Sequence, residues 1–105
     1  FLPNLKIGEQ DEVLIGVWGQ RHRRYLKEHH RVRYYNLLTA GTLNDYLAEI
    51  ELQAQALFND IVMRLSEEEN VTENLKATAP VKWVRRSNNI RNRATEIVNA
   101  EVIFV

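Results

Sequence analysis

Lys82, Arg85, Arg86, Asn89, Asn92 and Arg93 recur so that, at about 100° per helical residue, they share one arc, with Asn88 and Arg91 at its edges. Arg and Asn side chains can pair with guanine and adenine edges in a DNA major groove, while Lys suits phosphate. Asn adds nothing to an electrostatic seam between helices, so its presence among the arginines points towards nucleic acid. The competing reading is a solvated face whose arginines pair with acids on a neighbouring helix. Another basic stretch, earlier in the chain, in which Arg31 and Arg33 follow Arg23 and Lys27, would add phosphate contacts. Binding through either would release counterions and weaken with salt, with a log–log slope of about 0.9 per neutralised phosphate.

Other chemistry finds less support. His22 and His29 lie seven residues apart on the side of a helix that carries Trp18 and Tyr25. No third ligand falls on that face, so they read as core or interface histidines, and His30 reads as surface. Ser66 and Ser87 are the only serines, and neither sits in a nucleophile elbow. A metal-dependent hydrolase would need carboxylates clustered across helices, yet Asp45, Glu49 and Asp60 read equally well as the wet side of one helix. Glu67, Glu68 and Glu69 fit either a grip on a basic partner or a solvated helix end. No catalytic residue, cofactor or metal site is expected, and the aromatic residues read as core or interface.

The elements that must carry these residues belong to one small domain. The chain has 105 residues, 14 Lys and Arg against 14 Asp and Glu, and no cysteine. One core is affordable at this length, which excludes separate binding and catalytic domains, and a single all-α domain over 1–105 is the expectation. The lack of cysteine removes thiolate metal sites and thiol nucleophiles. No apolar run reaches the roughly 18 residues of a membrane span, and no signal-like segment opens the chain, so a cytoplasmic protein with no membrane partner is expected.

Charge is sorted along the chain. Residues 21–35 hold Arg21, Arg23, Arg24, Lys27, Arg31 and Arg33 against Glu28 alone, and residues 76–93 hold six cations and no acid. Between them, residues 36–75 hold eight acids against Arg64 alone. A neutral chain can offer a cationic surface only if these signs occupy different faces.

Periodicity reads as helix almost throughout. Leu43, Leu47, Ile50, Ala54, Leu57, Ile61 and Leu65 form one stripe, predicting a central helix over 43–69 with Thr42 as its N-cap, Asp45 as a weak capping-box partner and Asn70 as its stop. Upstream a helix is expected over 12–29, unless Gly16 and Gly19 delay its start to beyond Gly19. A helix over 31–39, with Val32, Tyr35 and Leu38 as its apolar face, should end on Gly41 as a left-handed cap. Downstream, Thr72 should cap a short helix over 73–78, and Pro80 should open a last helix over 81–100. That last helix would bury Val84, Ile90, Ala94, Ile97, Val98 and Val102. The short helix, a turn with Pro80 and the last helix together have the layout of a helix-turn-helix. The apolar tail Val102-Ile103-Phe104-Val105 is docked into the core, forms a terminal strand or meets a partner. Four to five helices around one long central helix are expected.

Several strings resemble one family in the same order along nearly the whole chain. They are Leu2-Pro3-Asn4-Leu5, Gly16-Val17-Trp18-Gly19-Gln20-Arg21-His22, Tyr25-Leu26-Lys27-Glu28-His29, Leu37-Leu38-Thr39-Ala40-Gly41, Val71-Thr72-Glu73-Asn74-Leu75-Lys76-Ala77 and Asn88-Asn89-Ile90-Arg91-Asn92-Arg93-Ala94. These are similar to the TnpV-type transposon-encoded proteins, small products of mobile elements in Gram-positive bacteria. The resemblance implies a context and transfers no catalytic residue. It implies accessory work in excision or its regulation, with DNA at element ends or a promoter as partner. The alternative is a protein-binding module that docks on a recombinase or nuclease through acidic and aromatic surface.

Overall fold

A computed structural model describes residues 15–105. It is all-α, and among the described residues five helices run in the order α1 (Val17–His29), α2 (Arg31–Ala40), α3 (Leu43–Glu68), α4 (Glu73–Thr78) and α5 (Pro80–Val98). A π-helical turn, Asn99–Ile103, follows α5 directly. No helix among the described residues is long and apolar enough to cross a membrane.

The central helix α3 has 26 residues, about 39 Å at 1.5 Å per residue. It packs against α1, α2 and α5, and the π-turn returns onto both α1 and α3. The molecule measures 54 × 36 × 18 Å, so its shortest dimension is under two helix diameters of about 10–12 Å. Such a slab buries few side chains on all sides. The predicted stripe reflects this: Leu43, Leu47, Ile50 and Ala54 are buried, whereas Leu57, Ile61 and Leu65 are half-buried.

Two apolar clusters lie along α3. One joins Leu26, Tyr34, Leu43 and Leu47, and the other joins Ile50, Ala54, Val98 and Ile103, with Tyr46 packed against both. Trp18 and Phe58 border the second cluster, their ring centroids 5.8 Å apart.

Most helix ends follow the local chemistry read from sequence. Gly41 adopts φ 76°, and the Gly41 and Thr42 amides donate to the carbonyls of Leu38 and Leu37. Asn70 stops α3 at φ 58°, and the Val71 amide reaches back to the Ser66 carbonyl at 2.8 Å, closing the helix as a left-handed cap does. Thr72 accepts from the Leu75 amide, and Pro80 occupies the first turn of α5.

Four expectations need correction. Thr42 makes no side-chain cap, because its backbone (φ −111°, ψ 3°) is not extended; only its carbonyl serves, accepting from the Tyr46 amide. α1 begins at Val17, neither at 12 nor beyond Gly19, and residues 12–14 lie outside the described part. α5 gives way to the π-turn after Val98, short of residue 100. Val84 and Ile97 on α5 and Val32, Tyr35 and Leu38 on α2 are exposed and Val102 is half-buried, since the thin slab buries only Ile90, Ala94 and Val98 on α5 and Tyr34 on α2. Of the three fates open to the apolar tail, docking into the core holds for Ile103, which is fully buried, while Phe104 and Val105 are exposed.

The start of α1 has its cause on another helix. Gly16, the N-cap, has no side chain to satisfy the first-turn amides. Glu51 of α3 supplies that oxygen, its Oε1 accepting from the Gly16 amide at 2.9 Å and the Gly19 amide at 2.8 Å. Its Oε2 accepts from Gln55 Nε2 at 2.7 Å, so this buried carboxylate is hydrogen-bonded on both oxygens.

Candidate nucleic-acid interface

The buried arc of α5 turns the opposite arc outward. Lys82, Arg85, Arg86, Asn89 and Asn92 are exposed, as the wheel requires. Arg93 is half-buried instead. Its Nη1 donates to Glu69 Oε2 at 2.7 Å and to Asn89 Oδ1 at 3.1 Å. Asn89 keeps its amide donors. The first turns of α5 also carry Trp83, with the Lys76 ammonium of α4 4.9 Å from its ring centroid.

In the first basic stretch, Arg23 and Lys27 on α1 and Arg31 on α2 are exposed. Arg33 is exposed but anchored: Nη2 donates to Tyr46 Oη at 3.1 Å, and the guanidinium lies over that ring at 5.2 Å.

Charge pairing is sparse. Among the described residues the ion pairs are Arg64 with Asp60, Arg93 with Glu69 and a 3.9 Å contact between His29 and Glu28. Of the eight cations assigned to the interface from sequence, only Arg93 meets a carboxylate among the described residues. Glu67 and Glu68 are exposed at the end of α3 and engage none of them.

Three further side chains connect these elements. His22, fully buried, hydrogen-bonds through Nδ1 to the Ile103 carbonyl at 2.7 Å and through Nε2 to Tyr46 Oη at 2.8 Å. Because a carbonyl only accepts, Nδ1 carries the proton and a neutral Nε2 accepts from the phenol. Burial holds the imidazole below its ordinary pKa, which fits this neutral form. The core reading of His22 therefore stands, although its partners were not legible. Arg21 of α1 is half-buried over Trp18 at 5.2 Å and donates to Asn99 Oδ1 at 2.9 Å. Arg91 lies over Phe58 at 5.2 Å. Sequence reasoning assigned neither Arg21 nor Arg91 to the interface; the signal was an aromatic residue three positions before Arg21, and nothing local marked Phe58 as the neighbour of Arg91.

No curated protein and no solved structure matches the chain. Residues 1–103 match the family described as transposon-encoded protein TnpV. With all but the last two residues covered, the chain belongs to the TnpV family of transposon-encoded proteins.

Proposed function

We propose that this protein is a DNA-binding accessory or regulatory factor of its mobile element, acting without catalysis in the cytoplasm. The observation that carries the reading is that Lys82, Arg85, Arg86, Arg23, Lys27 and Arg31 are exposed and meet no carboxylate among the described residues, on a chain of zero formal charge. Free cations on a neutral protein provide phosphate contacts without global repulsion between copies. On α5 they are interleaved with Asn89 and Asn92, whose amides can read adenine edges. In this reading α5 enters the groove and residues 23–33 hold the backbone of DNA at element ends or a promoter. α4 and α5 meet through Ala79 alone, shorter than the three- or four-residue turn of a helix-turn-helix, so the α5 face carries the reading and the motif does not.

Electrophoretic mobility of element-end DNA at two salt concentrations tests it. A shift at low salt that weakens at high salt is expected, and the combined change Arg85→Ala, Asn89→Ala and Asn92→Ala should abolish any sequence preference while leaving helix content intact. Arg93 stays in place because it is tied to Glu69. The absence of a shift at low salt overturns the reading.

A protein partner, such as a recombinase, is the second reading. Val32, Tyr35 and Leu38 favour it, being 75%, 57% and 47% exposed at three-residue spacing on α2.

A further inference from the structure

A shallow groove of about 330 Å³ runs between α1 and α5, lined by Val17, Trp18, Arg21, Phe58, Arg91 and Asn92 among others. Its floor is the Trp18–Phe58 pair. Each ring carries one guanidinium, Arg21 over Trp18 and Arg91 over Phe58, both 5.2 Å from the centroid. We infer that this groove holds one phosphate of a nucleic-acid backbone between Arg21 and Arg91.

Charge favours an anion here. Two guanidinium groups line one groove, and neither has a carboxylate within 4.0 Å among the described residues. Arg21 is half-buried, and its side-chain hydrogen bond goes to the neutral Asn99 Oδ1, so most of its donors remain free for an oxyanion. A guanidinium held against a ring gives up little further rotamer freedom on binding, and its planar fork suits phosphate. Charge-assisted bonds to an oxyanion complete what the fold leaves open.

Position then selects the source of the phosphate. Arg21 belongs to the first basic stretch, Arg91 to the second, and Asn92 lies both in the groove and on the outward arc of α5. The groove is thus where the two basic stretches meet. It is open to solvent, which suits a polymer backbone passing across it. This inference rests on the DNA reading above and extends it to two residues outside the α5 face.

The test follows the indole N–H resonance of Trp18 by NMR, assigned apart from that of Trp83, during titration with duplex DNA and, separately, inorganic phosphate. DNA should move the Trp18 signal in the native protein. The change Arg21→Gln with Arg91→Gln should remove that shift and lower the log–log salt slope by about 0.9, one phosphate. Arg91→Gln alone, at an exposed position, should remove the shift even if the double variant fails to fold. Asn99→Ala frees Arg21 from its strut and should keep both signals; equal loss there makes Arg21 a structural prop and overturns the inference. DNA binding with Trp18 unmoved overturns it while sparing the DNA reading. A response to inorganic phosphate without DNA binding makes the groove a small-anion site and overturns both, as does the absence of any binding at low salt.

Discussion

Glu51 Oε1 lies 2.8 Å from the Gly19 amide, so one carboxylate on the central helix caps the first turn of α1 from outside that helix. Charge at this place also complements the helix dipole. Glu51→Ala strands the buried Gly19 amide and the half-buried Gly16 amide, which should destabilise the protein by about 2–4 kcal/mol in urea unfolding. Glu51→Gln keeps an acceptor but loses the charge and sets its NH₂ against Gln55, so about half that loss is expected. Stability within error of wild type in the Ala variant would refute the capping role.

Gly19 is required by packing. A Cβ there would stand 3.1 Å from Ile15 Cγ2 and 3.2 Å from the Leu47 carbonyl oxygen, which is backbone and cannot swing aside. Gly19→Ala gains up to about 1 kcal/mol of helix propensity yet should lose about 1–3 kcal/mol through overpacking. A net loss of stability is the expected outcome of thermal unfolding, and a net gain would mean that α1 and α3 can separate freely.

His22 makes stability depend on pH. Burial holds its imidazole below the ordinary 6.5, the hydrogen bond it donates to the Ile103 carbonyl opposes this, and the charges of Arg33 and His30 add to it. Tyr46 and Tyr25 complete its surroundings, with Tyr25 stacked at 6.1 Å. Between the lowered value and 6.5 the unfolded chain binds more protons than the fold, so stability contributed here is full above about pH 6.5 and declines as pH falls below it. Urea midpoints between pH 7 and 5 should therefore drop more steeply for wild type than for His22→Gln. Parallel profiles would place the effect elsewhere.

Glu69 restrains Arg93. The two side chains are 37% and 42% exposed, so the pair contributes at most about 1 kcal/mol, and Glu69→Gln should leave the melting temperature nearly unchanged. Releasing Arg93 beside Asn89 should tighten DNA binding and steepen its salt slope by up to about 0.9. Weaker binding would show instead that Glu69 positions the arginine.

What the sequence makes legible, and what it hides, divides by range. Gly41, Asn70, Thr72 and Pro80 act on backbone within a few residues, and each sits where local chemistry places it. The stripe of α3 and the outward arc of α5 follow from period alone. The Glu51 cap spans 32 residues to Gly19, and the His22 bond spans 81 residues to Ile103, so neither leaves a local trace. Glu51 sits among acids that look like a wet face, and only the approach of Gly16 and Gly19 distinguishes it. Val84 and Ile97 fail for another reason: an apolar residue at the edge of an arc is covered only if the fold is thick enough, and 18 Å is not.

The decisive measurement is the salt dependence of duplex binding by the combined variant Lys82→Gln, Arg85→Gln and Arg86→Gln beside wild type. Helix α5 laid on DNA predicts a slope smaller by about 2.7 in the triple variant, three phosphates at about 0.9 each. An identical slope, or no wild-type binding at low salt, would contradict it.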